Sequence, residues 1–255
     1  MALKVELVPV FNDNYSYLIV DENQKRAAVV DPGEAAPVME RASQLGVEIE
    51  QILITHHHGD HVDGVAEMAK AFGCSVVGPS YEASKISNMT ETVSEGDALE
   101  VLGEKTEIFL VPGHTQGHVA YWIPSASALF SGDSLFVLGC GRLFEGSPAD
   151  MWSGLQKLRE LPDHTKVYCG HEYTLANAKF CATIEKSNED LADKIKEIED
   201  LRSKGQPTIP STIGVEKATN PFMRADVASV ADALGLAGTT AVEVFAEVRS
   251  RKDSF

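Results

Sequence analysis

The residues that could do chemistry are concentrated in positions 52–68, ILITHHHGDHVDGVAEM, directly after an apolar run. Four of them fit the pattern H-x-H-x-D-H: His56, His58, Asp60 and His61. Side chains two positions apart in an extended chain point the same way, so His56 and His58 can bind one ion together. Asp60 and His61 follow a glycine that permits a sharp turn and can face a second ion. Because four donors cannot saturate two ions, further donors are expected later in the chain.

Three later segments each place a possible ligand after a strand-like run and a break that contains glycine. VPGHTQGH contains His114, LFSGDSLF contains Asp133 and VYCGHEYT contains His171. Loops at strand ends are where a rigid scaffold presents functional groups. Each residue alone is more often a surface histidine or a turn aspartate, but the shared context of all three favours metal ligation.

Composition limits the classes of partner. The 255 residues carry a formal net charge of −16, which disfavours nucleic acid and anionic membranes. The four cysteines show no disulfide-rich spacing and are expected to be free thiols in a reducing compartment. The first residues lead directly into strand-like sequence rather than a signal peptide. We therefore expect a cytoplasmic protein, and we predict a monomer.

The elements that must position these donors are strands with interspersed helices, followed by helices. Strands are predicted at 5–10, 15–20, 27–31, 49–55, 75–77 and 166–169, with further β pattern over 107–131. Helices are predicted at 34–45, 62–72 and 148–161, and then at 174–185, 189–204, 226–234 and 241–250. Strand-rich sequence of this kind favours two sheets covered by helices. The strand-rich sequence gives way to helices alone near residue 173. This change predicts a catalytic domain over 1–172 and a small helical, substrate-binding domain over 173–255.

The motifs resemble those of the metallo-β-lactamase superfamily and, more narrowly, those of glyoxalase II, the hydroxyacylglutathione hydrolases. The resemblance runs nearly end to end. It rests on DNYSYL at 13–18, THHHGDH at 55–61, GDSLF at 132–136, GCGRLFEG at 139–146, CGHEYT at 169–174, NPFMR at 220–224 and RSRKD at 249–253. The histidine pattern alone specifies only the superfamily, whereas the later motifs are much more specific to the thioesterase.

The resemblance implies an α+β fold, a four-layer αβ/βα sandwich of the metallo-β-lactamase type with a small C-terminal helical domain. It also implies a site for two divalent metal ions. The first ion is bound by His56, His58 and His114, the second by Asp60, His61 and His171, and Asp133 bridges them. Nitrogen and oxygen donors without cysteine suit zinc, iron or manganese. Zinc is the first choice.

Such a site can hydrolyse a thioester. A water bridging two divalent ions loses a proton near neutral pH, since one Zn²⁺ already lowers its pKa to about 7. The metal-bound hydroxide, positioned by Asp60 and Asp133, can attack the carbonyl carbon. A thiol with a pKa of about 8.5 leaves without a strong general acid. The family substrate is S-D-lactoylglutathione, which is cleaved to D-lactate and glutathione in the second step of methylglyoxal detoxification.

The anionic glutathione thioester requires a local positive patch on this acidic chain. The resemblance assigns Arg249 and Lys252 to its carboxylates, although cations near a helix C-terminus also favour the helix dipole. Tyr173 matches a tyrosine that contacts glutathione. Arg142 stands where some family members have lysine, and Phe144 where they have tyrosine, so contacts at these two positions are expected to differ.

Four other functions compete with this interpretation. Secreted β-lactamases of the superfamily normally carry a signal peptide, and many have a cysteine ligand where this chain has Asp133. A persulfide dioxygenase typically lacks the helical C-terminal domain. Non-catalytic zinc sites are usually closed and rich in cysteine. RNA processing, known elsewhere in the superfamily, is disfavoured by the negative charge.

Overall fold

The first sheet of the computed structural model, which describes residues 3–255, begins with an antiparallel meander and continues with parallel strands. Among these residues the sheet has six strands in the order β1-β2-β3-β4-β5-β6. Their bounds are, in order, Lys4–Val10, Asn14–Asp21, Arg26–Val30, Glu48–Leu53, Ser75–Pro79 and Glu91–Val93. The parallel strands end at one edge, so the loops that follow them lie close together.

The second sheet has the order β14-β13-β10-β9-β8-β7. In chain order its strands are β7 (Leu99–Val101), β8 (Glu104–Leu110), β9 (Val119–Ile123), β10 (Ala128–Gly132), β13 (Lys166–Cys169) and β14 (Ser211–Thr212). A separate hairpin joins β11 (Leu135–Phe136) to β12 (Gly139–Cys140). This hairpin follows β10 directly and carries the chain away from the sheet edge.

Nine α-helices lie in the described part of the chain, some packed against the sheets and others against one another. They are α1 (Ala35–Leu45), α2 (Gly59–Val62), α3 (Val65–Phe72), α4 (Pro148–Arg159), α5 (Thr174–Ile184), α6 (Glu189–Ser203), α7 (Ile213–Thr219), α8 (Ala228–Leu234) and α9 (Ala241–Asp253). Short 3₁₀ helices lie at Ser80–Lys85, Pro124–Ala126 and Pro221–Met223. Within residues 3–255, no helix is both long enough and apolar enough to cross a bilayer.

The central strand β2 shows how the layers arise. Its eight residues are all buried, and alternate side chains of a strand point to opposite faces. Tyr17 and Ile19 belong to the large core between the sheets. Leu18 and Val20 belong to a second core, which lies against α1 and α3. The strand is therefore hydrophobic on both faces, and the expected four-layer αβ/βα sandwich is confirmed.

Local signals in the sequence explain where several helices begin and end. Gly46 ends α1 in the left-handed conformation, with φ of 66°. Ser147 begins α4 with a capping box to Asp150, and Thr240 begins α9 with a capping box to Glu243. The Thr240 cap fixes the residue at which α9 begins, and this helix carries two of the predicted substrate contacts.

The structure corrects three expected boundaries near the donors and the connector. β4 ends at Leu53 instead of residue 55 because the backbone N–H of Thr55 donates to Asp31 Oδ1 at 2.8 Å. The helix predicted at 62–72 begins at Val65 as α3, and a separate short helix, α2, ends at Val62. The segment between the helices predicted at 189–204 and 226–234, to which no element was assigned, contains β14 and α7, whose first turn is capped by the Thr212 side chain.

The proposed division into domains at residue 172 stays a prediction. The C-terminal segment is helical, as expected, but it also contributes β14 to the edge of the second sheet. Asn220 of this segment donates to the carbonyl oxygens of Phe136 and Gly139, at 3.3 and 3.0 Å. The helical segment is thus joined to the hairpin that leads away from Asp133.

Candidate metal centre

The seven predicted donors lie together at the edge where strands of both sheets end. His56 and His58 follow β4, and the short helix α2 carries Asp60 and His61. The later donors follow the second sheet's strands: His114 lies between β8 and β9, Asp133 after β10 and His171 after β13. Distant parts of the chain therefore contribute to one site because their strands end side by side.

Three imidazoles form the first group of donors. His58 Nδ1 lies 3.1 Å from His56 Nε2 and 3.0 Å from His114 Nε2. A zinc–nitrogen bond is about 2.0–2.1 Å long, so two nitrogens on one ion lie about 3.0–3.4 Å apart at ordinary ligand angles. The observed separations fit this arrangement. The helix α2 begins directly after His58, and the three imidazoles still lie together.

The second group combines one carboxylate with two imidazoles. Asp60 Oδ2 lies 3.4 Å from His171 Nε2 and 3.6 Å from His61 Nε2. One ligand atom from each of the three residues lies within 4.8 Å of the others. Asp60 and His61 are adjacent in the short helix α2, and the ends of both side chains reach this group. The sharp turn expected after Gly59 is thus a helical turn.

Asp133 lies between the two groups. Its Oδ2 atom is 3.4 Å from His114 Nε2 and 3.3 Å from His171 Nε2, while its Oδ1 atom is 3.4 Å from His61 Nε2. In the described part of the chain, Asp133 Oδ1 and His61 Nε2 are buried and make no hydrogen bond. Buried polar atoms without a partner are costly. These two orphaned atoms therefore fit a bound cation.

Electrostatics separates the first group of histidines from the second. Burial and neighbouring imidazoles lower the pKa values of His56 and His58, and burial lowers that of His114. These rings are neutral near pH 7 and offer a lone pair to a metal. Burial also acts to lower the pKa of His171, but Asp133 and Asp60 outweigh it and raise that pKa to about 11. The carboxylates beside the second group thus give it a negative potential, which attracts positive charge.

The carboxylates are held in their ionised form. Hydrogen bonding from His171 lowers the pKa of Asp60 far below its ordinary value. Burial acts to raise the pKa of Asp133, but His61, His171 and His114 outweigh it and lower that pKa strongly. Both groups therefore accept hydrogen bonds or ligate cations near neutral pH. The donor set fits divalent metal ions.

Two carboxylates that the sequence did not indicate as part of the site orient the imidazoles of His61 and His171. Asp31 Oδ2 accepts from His61 Nδ1 at 3.0 Å, and Asp13 Oδ1 accepts from His171 Nδ1 at 3.0 Å. A carboxylate on the far nitrogen fixes the tautomer and orientation of a ligating histidine. Asp13 stands in the DNYSYL motif, and Asp31 ends a predicted strand before a Pro-Gly break. The sequence shows both the motif and the strand end, but it does not indicate which histidine either aspartate would contact.

Backbone and side-chain contacts support the remaining ligands. His114 Nδ1 lies 3.0 Å from the carbonyl oxygen of Arg142. His118 Nε2 accepts the backbone N–H of Asp133 at 3.0 Å. Asn14 donates from Nδ2 to Asp60 Oδ2 at 2.8 Å. The first-group histidine His114 is therefore joined directly to a residue of the predicted substrate-binding set.

A cavity of about 510 Å³ opens beside the donors. Its wall includes His58, Asp60, His114, Asp133 and His171 from the two groups. All five residues predicted to bind substrate also line it: Arg142, Phe144, Tyr173, Arg249 and Lys252. The structure thus brings the predicted metal ligands and the predicted substrate contacts to one cavity.

The two aromatic residues lie against ligand rings. The Tyr173 ring stacks on His171, with centroids 4.5 Å apart and planes 6° apart. The Phe144 ring lies 5.1 Å from that of His114 and 5.8 Å from that of His58. Phe144 is 61% exposed, so it forms the mouth of the cavity rather than its floor. A side chain longer than that of phenylalanine therefore fits at position 144.

The two cations of α9 differ in their surroundings. Arg249 is buried, and its Nη1 donates to the carbonyl oxygen of Cys140 at 2.9 Å. Its Nη2 lies 2.9 Å from Asp253 Oδ1. Lys252 is partly buried and donates from Nζ to the carbonyl oxygen of Ala176 at 3.1 Å. Arg249 therefore has a structural role in addition to any contact with a ligand.

Comparison with known proteins agrees with the fold. Residues 10–171 match the family model of the metallo-β-lactamase superfamily. The chain also resembles two solved structures of this fold. One is ETHE1 from Myxococcus xanthus, with a TM-score of 0.68 and 25% identity over 98% of this chain and 90% of that one. The other was solved in a di-iron-bound form, with a TM-score of 0.60 and 25% identity over 84% and 98%.

The C-terminal segment and the full-length relatives indicate which family within the superfamily the chain belongs to. Residues 172–255 match the family model described as hydroxyacylglutathione hydrolase C-terminus. The hydroxyacylglutathione hydrolase of Rhodopseudomonas palustris strain BisB5 is 48% identical over 254 residues, covering 100% of both chains. That of Methylococcus capsulatus is 46% identical over 253 residues, covering 99% of both. The chain belongs to the hydroxyacylglutathione hydrolase family.

Proposed function

We propose that this chain hydrolyses S-2-hydroxyacylglutathione thioesters. S-D-lactoylglutathione is the substrate, and D-lactate and glutathione are the products, as in the second step of methylglyoxal detoxification. One observation carries the proposal. The two groups of metal donors open onto a cavity whose wall also carries the cations Arg142, Arg249 and Lys252. A thioester with an anionic thiol portion can therefore contact both ends of the cavity.

Two divalent ions are the proposed cofactors, with zinc preferred and iron or manganese as alternatives. His56, His58 and His114 would hold one ion, and Asp60, His61 and His171 the other. Asp133 would contact both, which agrees with its short distances to His114 and His171. When bound, such ions supply Lewis acidity, which lowers the pKa of a water molecule and stabilises negative charge on a carbonyl oxygen.

The chain's own carboxylates would orient the attacking water. Asp60 and Asp133 both line the cavity and both stay ionised, so they accept hydrogen bonds from it. Asn14 fixes one oxygen of Asp60, and the backbone of Asp133 is fixed by His118. The glutathione thiolate has an ordinary pKa of about 8.5, and it leaves without a strong acid.

The cationic side chains would hold the glutathione portion. The chain has a formal net charge of −16, so an anionic substrate is repelled by most of the surface. Arg142 is exposed at the mouth of the cavity, and Lys252 lies on its wall. These side chains supply positive charge but no group that the hydrolysis requires, so they would contribute binding rather than chemistry.

Release of free thiol from S-D-lactoylglutathione tests the proposal. The metal-loaded enzyme should release thiol, and a chelator should abolish the release. A lactoyl thioester of a thiol without carboxylates is the matched control, and it should show a higher KM with a smaller change in kcat. The absence of metal-dependent thiol release from S-D-lactoylglutathione, with turnover of a β-lactam or a persulfide instead, would contradict the proposal.

We also propose that the enzyme is a cytoplasmic monomer. In the part of the chain that the structure describes, its four cysteines are unpaired and buried, which agrees with a reducing compartment. Light scattering of the purified protein gives the mass in solution. A mass twice that of the chain would contradict the monomer.

A further inference from the structure

A fully buried carboxylate outside the donor set joins the two loops that supply the first group of histidines. Glu82 lies in the 3₁₀ helix Ser80–Lys85, and none of its surface is exposed. Its Oε2 atom accepts the backbone N–H of His57 at 2.8 Å and lies 2.8 Å from His57 Nδ1. Its Oε1 atom accepts from the Thr115 hydroxyl and, at 3.0 Å, from the backbone N–H of Gly117.

The partners of Glu82 are direct neighbours of the ligands. His57 stands between His56 and His58, and Thr115 follows His114. One carboxylate therefore spans the two loops, with one oxygen on each. The close approach also requires glycine at 117, because a Cβ atom there would lie 2.5 Å from Glu82 Cγ. The loop is thus shaped to admit this side chain.

We propose that Glu82 is a positioning residue for the first metal ion, holding the His56–His58 segment and the His114 loop at the separation that three ligands of one ion require. The inference rests on the proposed assignment of that ion to these histidines. The separation of 3.0 Å between His58 Nδ1 and His114 Nε2 depends on the relative position of the two loops. Glu82 is not one of the proposed ligands and does not line the cavity.

The second group is held by different residues. Asp31 orients His61, Asp13 orients His171 and Asn14 fixes Asp60. The hydrogen bonds of Glu82 lead instead to His57, Thr115 and Gly117. Loss of the Glu82 carboxylate should therefore weaken one ion selectively. A general loss of structure would weaken both ions.

The variant Glu82→Gln tests this selectivity in the full chain. It keeps the size of the side chain but places an NH₂ group against N–H donors of one loop. Loss of an orienting partner typically lowers metal affinity by 10–100-fold. Titration of the metal-free protein with Zn²⁺ against a chromophoric chelator should show one of two binding constants weakened by about this factor. The other constant should stay within about twofold of the wild type.

A comparison variant identifies which ion is weakened. Asn14→Ala removes the hydrogen bond to Asp60 and should weaken the second ion. If Glu82 acts on the first ion, the double variant should show both binding constants weakened, each by its own factor. If both single variants weaken the same constant, the assignment of Glu82 to the first ion is wrong.

Two controls separate positioning from loss of stability. Glu185 is also buried, and it pairs with Arg224 at 3.0 Å in the C-terminal segment. Glu185→Gln should lower the melting temperature without changing either Zn²⁺ constant. Thr115→Val removes one donor to Glu82 while Thr115→Ser retains it, so Val should weaken the first ion and Ser should not. This pair also replaces Glu82→Gln if that variant does not fold.

The binding measurement uses Zn²⁺ alone, so its result is independent of the thioesterase proposal. Unchanged Zn²⁺ constants in Glu82→Gln, or equal weakening of both, would overturn the positioning role. Failure to release thiol from S-D-lactoylglutathione would overturn the proposed function and leave the Zn²⁺ result in place. At saturating Zn²⁺, turnover by Glu82→Gln should recover towards that of the wild type.

Discussion

Arg249 of α9 donates a hydrogen bond to the carbonyl oxygen of Cys140, with 2.9 Å between Nη1 and the oxygen. Cys140 ends the hairpin strand β12, just before Arg142. The Arg142 carbonyl oxygen in turn lies 3.0 Å from His114 Nδ1. The last helix is thereby connected to a predicted metal ligand through one short segment of the cavity wall. Arg249 and Lys252 consequently have different expected phenotypes, although both stand in one sequence motif.

Replacement of Lys252 by alanine should mainly weaken substrate binding. A hydrogen bond to a charged group contributes roughly 1.5–3 kcal/mol, so KM should rise about tenfold or more, with less change in kcat. High salt should raise the KM of the wild type more than that of the variant, because screening acts on the removed charge. Steady-state kinetics at two ionic strengths measures both effects. An unchanged KM would show that Lys252 has a structural role and does not bind the substrate.

Replacement of Arg249 by alanine should reduce both binding and stability. It leaves the Cys140 carbonyl oxygen buried without its donor and removes the ion pair with Asp253. An unsatisfied buried group costs roughly 1–3 kcal/mol, so the melting temperature should fall while KM rises. Thermal unfolding of the metal-loaded protein is the measurement, with Asp253→Asn as the control for the ion pair. A raised KM at an unchanged melting temperature would contradict the structural contribution.

Replacement of Asp133 by alanine should abolish turnover and weaken both metal ions together. Its carboxylate lies within 3.4 Å of ligand nitrogens from both groups, and two divalent ions in one cavity repel strongly when no anion lies between them. Metal analysis after dialysis, alongside thiol release, measures both results. Two ions per chain with near-normal turnover would show that Asp133 is not the bridge.

The grouping of the seven candidate donors could be predicted from sequence, because the H-x-H-x-D-H motif follows a strand and His114, Asp133 and His171 each follow a strand and a chain break. Such positions are local features, and their shared context is visible without coordinates. The partners that orient the ligands are not local. Glu82 is 25 residues from His57 and 33 from Thr115, and no periodicity connects them. Its complete burial follows from sheet packing that the sequence pattern does not specify.

The fold likewise contains elements that local sequence pattern predicts and others that depend on contacts between distant segments. The two sheets and the long helices follow from hydrophobic periodicity and caps. α7 was missed because its seven residues lie in a segment marked by prolines, where a turn is the usual expectation. The pairing of β14 with β13 depends on contacts between distant segments, so it could not be deduced from local pattern. The hydrogen bond of Arg249 to Cys140 has the same origin.

Replacement of Phe144 by tyrosine should strengthen substrate binding. The ring lies at the exposed mouth of the cavity, so an added hydroxyl can reach the substrate without entering the core. A neutral hydrogen bond contributes about 0.5–1.5 kcal/mol, so KM should fall roughly two- to tenfold with little change in kcat. Phe144→Leu is the control for loss of the ring. A tyrosine variant with unchanged KM would exclude a hydroxyl contact at this position.

Replacement of Glu216 by glutamine should make stability less sensitive to pH. Burial raises the pKa of Glu216, whose carboxyl accepts from Leu138, Ser211 and Asn220. A raised folded-state pKa gives a contribution to stability that is complete below the unfolded value of about 4.3 and is lost as pH rises through the folded value. Glutamine is neutral throughout and can donate to the Ser211 oxygen. The melting temperature of Glu216→Gln minus that of the wild type should therefore increase with pH, measured on zinc-saturated proteins at matched pH values. Glu197→Gln, on the exposed side of α6, controls for removal of one negative charge. A difference that stays constant or falls with pH would show that Glu216 is ionised in the folded protein at no cost.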